Sequence, residues 1–260
     1  MKKVFLRLMA FLLMLVVITL SGLATIILYP QPLFANKAVY GNFHVYADHE
    51  ISQDIEVVLD KALQLVEQSA LYDSAYTYDI FLGYKTFFNK IDDLVLGHAP
   101  SARATDNNIV IKVEIDANRN LAFPTYNQKC EADLTVLIAH EMIHCLQENR
   151  YGKLKFNPFR HPEFWKLEGY PEYISRQAQR NGGDYRLINE IERYLALQKK
   201  DFWIAIEENG CKSPEYYYKA RLMTEYLMDI KDLSYDEILS DTTSERIIFE
   251  EMIAWKDKTK

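Results

Sequence analysis

The chain reads as an α+β protein, a small mixed sheet with a helix followed by a helical C-terminal part, preceded by one transmembrane helix. Three observations predict this. Leu8 to Leu28 is 21 residues without a charge. Between roughly residues 39 and 116, short stretches alternate apolar and polar side chains around one helical segment. From Glu131 onward the apolar spacing is helical almost throughout.

The apolar run comes first. At about 1.5 Å per residue it spans a hydrocarbon core of about 30 Å. Lys2, Lys3 and Arg7 lie on its N-terminal side, so the N-terminus stays cytoplasmic and the rest crosses to the periplasm or cell exterior. The alternative is a signal peptide, with the protein secreted after cleavage. Such peptides carry an apolar region of about 7–15 residues and a small-x-small cleavage site. Here the run is longer, and "LFANKA" has Leu33 where a small residue is wanted. A retained anchor is favoured. Residues 1–29 are therefore the anchor (or signal peptide), 30–38 a spacer with two prolines, and 39–260 the domain.

In the domain, "NFHVYADHE" predicts a strand with Phe43, Val45 and Ala47 on one face. "ISQDIEVVLDKALQLVEQSALY" predicts a helix with Ile55, Val58, Leu59, Ala62, Leu63 and Val66 as its stripe. "TYDIFLG" and "NNIVIKVEI" read as further strands. Residues 131–152 read as one helix, with Gly152 as terminator. A loop over 153–164 is followed by helical segments at 165–180, 185–206, 213–230 and from 234 to the C-terminus.

Composition narrows the function. With 49% apolar residues, a proper core is within reach. Net charge is −7, and setting aside the +3 of Lys2, Lys3 and Arg7 leaves −10 for the rest. No basic stripe or motif is present, which argues against nucleic acid as a partner. The three cysteines, Cys130, Cys145 and Cys211, match no zinc-ribbon spacing. One disulfide is allowed in an oxidising compartment. Cys130 with Cys211 is one pairing the sequence leaves open, and Cys145 reads as a small buried apolar residue.

The chemistry concentrates in "LTVLIAHEMIHCLQ". Burying unpaired polar groups costs roughly 2–7 kcal/mol each, yet this apolar stretch carries two imidazoles and a carboxylate side by side. In a helix, residues four apart differ by about 40° in direction and neighbours by about 100°. His140 and His144 therefore share a face, one turn apart, and suit two positions of a tetrahedral Zn²⁺. Glu141, displaced to the side, reaches a water on the metal more readily than the metal itself. This is the HExxH arrangement of zinc peptidases.

A third ligand is needed, and "WKLEGYPEY" offers Glu168 and Glu172 four residues apart. HExxH followed by W-x-x-E-G-x-x-E-Y resembles the gluzincin branch of zinc peptidases, in particular the M1-aminopeptidase-like "peptidase MA" group. The resemblance covers roughly Thr135 to Arg176. It implies a zincin-like fold, Glu168 as third zinc ligand, and Glu172 as the group that orients a metal-bound imidazole. Pro171 suggests a helix starting near Leu167. The resemblance also implies a downstream tyrosine as oxyanion donor. Tyr216, Tyr217 and Tyr218 are candidates, with His161 and Arg221 as further polar groups. It departs from M1 aminopeptidases in having no GxMEN-like exopeptidase motif and a much shorter chain. "HAPSARATDNNIVIKV" occupies the place where related folds put a substrate-binding edge strand.

The expected function is a membrane-anchored, extracytoplasmic zinc metallopeptidase acting on a peptide or protein substrate, with Zn²⁺ as cofactor and Glu141 as general base. The alternatives are a non-catalytic zinc-binding module and a partner-binding module on a peptidase-like fold.

Overall fold

The computed structural model describes residues 2–97, 101–124, 130–156, 161–182, 186–198, 203–205 and 212–259. The elements run α1 (Lys2–Leu28), a 3₁₀ turn (Gln31–Leu33), β1 (Asn36–Tyr40), β2 (Phe43–Ala47), α2 (Asp54–Val66), β3 (Tyr78–Leu82) and α3 (Phe87–Leu96). Five strands follow: β4 (Ala102–Thr105), β5 (Asn108–Ile111), β6 (Glu114–Asp116), β7 (Leu121–Phe123) and β8 (Ala132–Asp133). Then come α4 (Leu134–Tyr151), α5 (Phe164–Ser175), α6 (Gln177–Arg180), α7 (Leu187–Gln198), β9 (Trp203–Ala205) and β10 (Lys212–Pro214). The chain ends with α8 (Glu215–Glu225), a π-helical turn (Tyr226–Ile230), α9 (Tyr235–Ser240) and α10 (Glu245–Thr259).

The principal sheet has the order β1-β2-β3-β5-β4. β2, β3 and β5 run parallel, while β1 and β4 are antiparallel edge strands. Parallel strands need cover on both faces, and the sequence supplies it. Phe43, Val45 and Ala47, with Tyr78, Ile80, Leu82, Ile109 and Ile111, pack with α2 and α4 in the main core. Tyr46, Phe81 and Val110 point to the other face, where Phe88 of α3 and Ile27 of α1 join them. The stripe of α2 is buried at Ile55, Val58, Leu59, Ala62 and Val66, while Leu63, expected in the same stripe, is only partly buried at its margin.

α1 is long and apolar enough to cross a membrane, with mean hydropathy 2.7 over its most apolar window. Its last turn belongs to the domain. Ile27 is buried, and Asn108 Nδ2 donates to the Leu28 carbonyl at 3.0 Å. Gln31 Nε2 then donates to Asp79 Oδ2 at 2.9 Å.

Several expectations change. β1 begins at Asn36, inside the stretch read as spacer. "NNIVIKVEI" is not one strand. Past Ile111 the chain leaves the principal sheet, and β6 pairs with β7 in a separate three-stranded sheet. α3 was not legible as a helix, although Thr86 caps it by accepting from the Asn89 amide. The C-terminal part is not wholly helical, because β9 and β10 pair antiparallel where helix is predicted. Residues 165–180 break into two helices at Arg176, whose ψ of 15° departs from helical values. α5 begins at Phe164 rather than near Leu167, so Pro171 lies inside it.

Candidate metal centre

α4 carries HEMIH through the core. Asp133 caps its start, accepting from the Val136 amide at 3.0 Å, and Asn120 Nδ2 holds that carboxylate at 3.0 Å. Gly152 ends it with φ of 89°, a conformation that side-chain-bearing residues avoid. α4 has no single apolar face because the sheet, α2 and α5 enclose it. Polar residues along it therefore need partners inside the protein.

α5 provides them. His140 Nε2 lies 3.2 Å from Glu168 Oε2, His144 Nε2 lies 3.2 Å from the same oxygen, and the two Nε2 atoms are 3.1 Å apart. Donor atoms around a tetrahedral zinc, at about 2.0–2.1 Å each, are about 3.3 Å from one another. The triangle thus has nearly the size of one face of such a site. Three acceptor-type atoms this close, mostly buried, need a proton or a cation between them.

The far sides of both rings are held as well. His140 Nδ1 lies 3.3 Å from Glu172 Oε1, and Glu172 Oε2 accepts from Arg176 Nε at 2.7 Å. His144 Nδ1 donates to Gln147 Oε1 at 2.8 Å. Gln147 Nε2 donates to the Leu167 carbonyl at 3.0 Å and to Tyr235 Oη at 2.7 Å. Metal-bound imidazoles commonly have their second nitrogen fixed by a carboxylate or carbonyl, and both rings here meet that condition.

Electrostatics follow from burial and these neighbours. Burial opposes charge on His140, but the Glu168 and Glu172 carboxylates outweigh it and raise the imidazole to about 10. Burial would raise Glu168, yet the His144 and His140 rings hold it down to about 2. Glu172 is likewise held low against burial, chiefly by Arg176 and then His140. A divalent cation would replace the protons that these carboxylates draw onto the rings. Glu141 is buried beside the cluster, and burial raises its carboxyl above the ordinary carboxylate range.

Of the other sequence candidates, Tyr217 comes nearest. Its ring centroid is 6.3 Å from that of His140, and burial, then Glu168, raises its hydroxyl well above the ordinary tyrosine value. Tyr216 packs against Phe164 and Tyr217. Tyr218 is directed to Glu190 instead, hydrogen-bonding its carboxylate, and Arg221 Nη2 bonds the same carboxylate at 2.9 Å. Both are buried ties between α7 and α8. His161 is exposed, its Nδ1 at 2.7 Å from the Pro162 carbonyl. Gln147, Arg176 and Tyr235 were not singled out from the sequence. Gln147 alone had a signal, standing three residues after His144 on the same helix.

No family model, curated protein or solved structure matches the chain. The cluster stands on its own geometry.

Cys145 is a buried free thiol on α4, as its apolar setting suggests. Cys130 is disulfide-bonded, and Cys211 lies outside the described residues.

Proposed function

We propose that this protein is a membrane-anchored zinc metallopeptidase of gluzincin type, on a zincin-like fold. The observation that carries the reading is the His140–His144–Glu168 triangle, with each imidazole backed by its own acceptor, Glu172 or Gln147. Two nitrogens and one carboxylate oxygen at this spacing suit Zn²⁺, and three protein ligands leave a position open for water or substrate.

Zinc held there would supply Lewis acidity and an activated water. The chain's own residues do the rest. Glu141, one residue from His140 and kept from solvent, accepts the water proton and returns it to the leaving amine nitrogen. Burial raises its carboxyl above the ordinary carboxylate range, which favours taking up a proton. The Tyr217 hydroxyl is the candidate donor to the developing oxyanion. Edge strand β4, which packs beside α4, offers backbone groups to an extended peptide.

The anchor is retained and the domain lies outside the cytoplasm. Supporting this are the basic residues before the span, the disulfide at Cys130, and the burial of Ile27 in the domain.

The test is metal analysis of full-length protein together with a peptide-library digest, comparing wild type with Glu141→Gln. The reading requires one zinc per chain in both and cleavage by wild type alone. Zinc in both with no cleavage by either would leave a non-catalytic zinc module. Absence of zinc from chelator-free wild type would end the reading altogether.

A further inference from the structure

We propose that Gln147 is a positioning residue for His144, and that Pro171 is what sets Gln147 in its working orientation. The inference rests on the zinc reading above and extends it to two residues outside the metal's reach.

α5 stays helical through Pro171, but a proline nitrogen carries no hydrogen. The carbonyl four residues earlier, Leu167 O, therefore loses its helical donor. The ring also crowds that carbonyl. Gln147 Nε2 takes the place of the missing donor, at 3.0 Å.

The consequence runs from atom to atom. A carbonyl oxygen only accepts, so the end of Gln147 facing Leu167 must be its NH₂. The other hydrogen of that NH₂ goes to Tyr235 Oη at 2.7 Å, and the Tyr235 hydroxyl in turn donates to the Lys166 carbonyl at 2.9 Å. The amide is fixed, and Oε1 is left facing His144 Nδ1 at 2.8 Å. An amide oxygen also only accepts, so Nδ1 must carry the hydrogen. Nε2 then presents its lone pair toward Glu168 and His140, as a metal ligand must. Gln147 is 0% exposed, so bulk solvent does not reach its side chain.

One helix thereby serves the site three ways. Glu168 is the ligand, Glu172 holds His140, and the Leu167 carbonyl, freed by Pro171, holds His144 through Gln147. A proline inside a helix costs stability, and here the unmade bond is used.

The test measures zinc affinity of the full-length protein by competition with a chromophoric chelator, alongside thermal unfolding of chelator-treated protein. Gln147→Leu should bind zinc about 10–100-fold more weakly. Pro171→Ala returns an N–H to Leu167, so it should raise the Tm of the chelator-treated protein while weakening zinc by about threefold or more. Tyr235→Phe is the structural control. It should lower Tm yet leave zinc affinity within about twofold, because the Leu167–Gln147–His144 path survives. Nitrogen-15 spectra of histidine-labelled, zinc-loaded protein should show Nδ1–H on both ligand rings in wild type, with the His144 signal altered in Gln147→Leu. Wild-type zinc affinity in Gln147→Leu would overturn the role of Gln147, and wild-type affinity in Pro171→Ala that of the freed carbonyl. Equal losses in Gln147→Leu and Tyr235→Phe would reduce Gln147 to a packing residue. If wild type binds no zinc, the zinc reading itself has failed.

Discussion

Gly169 lies so close to Ala220 that a Cβ on it would stand 2.7 Å from the Ala220 carbonyl oxygen, with the Thr224 hydroxyl closer still. This glycine follows Glu168 directly, so the seam between α5 and α8 fixes the depth of the Glu168 carboxylate, the proposed third ligand. Gly169→Ala should force the helices apart and lower stability by about 1–3 kcal/mol. Zinc affinity should fall with it, since Glu168 moves with its helix. Denaturant unfolding and metal competition on the same preparation check both effects. A variant as stable as wild type would show that the seam yields.

Glu172 stands between His140 Nδ1 and Arg176 Nε. Glu172→Ala should weaken zinc by about 10–100-fold while leaving all three ligands present. Stability should also drop, because the Arg176 guanidinium, mostly buried, loses a carboxylate. Unchanged zinc affinity by chelator competition would make the carboxylate a purely structural partner of Arg176.

Glu148 gives the chain a pH dependence that can be measured apart from the metal. Burial raises its carboxyl to about 7, although it accepts from the Asp106 amide at 2.6 Å. The folded state therefore holds a proton that the unfolded chain releases near its ordinary value of about 4.5. Stability from this group is full below that value and is lost as pH rises through about 7. Glu148→Gln should remove that slope. Above pH 7 it should be more stable than wild type by on the order of 1–2 kcal/mol, discounted for partial solvent access. Unfolding free energies at a series of pH values give the comparison, and parallel curves would refute the assignment.

Removal of residues 1–28 should destabilise the domain and, on the proposed anchored reading, also release it from a membrane. Ile27 covers Phe81, Phe88 and Val110, and its burial is worth about 1.5–3 kcal/mol. Loss of the Leu28 carbonyl also leaves the buried Asn108 amide without that bond. The truncated chain should melt earlier and bind more of a hydrophobic dye. N-terminal sequencing of the native protein should find residues 1–28 still attached.

Much of the architecture was legible because period and burial coincide. Phe43, Val45 and Ala47 alternate and do face one core, and the stripe of α2 recurs at helical spacing and is buried. Where local pattern and long-range pairing diverge, the reading failed. "NNIVIKVEI" runs from an apolar Ile109–Ile111 core into an alternating tail and reads as one strand, but Lys112 turns to Asp92 and Asp93 of α3, and the chain leaves the sheet there. The β9–β10 pair also depends on pairing partners, not on the periodicity of either segment.

By itself, the sequence determined that His140 and His144 share a helix face one turn apart, because 3.6 residues per turn allows nothing else. It also determined an apolar N-terminal span and an α+β class. Only the tertiary structure decided that Glu168 Oε2 stands 3.2 Å from both rings, and that Glu172 and Gln147 hold their far sides. It likewise decided that Tyr218 and Arg221 turn to Glu190. Local helix geometry fixes directions within one element. Distances between α4 and α5 depend on the packing of Gly169 against α8 and on a carbonyl that Pro171 leaves open, and neither is a property of any short segment.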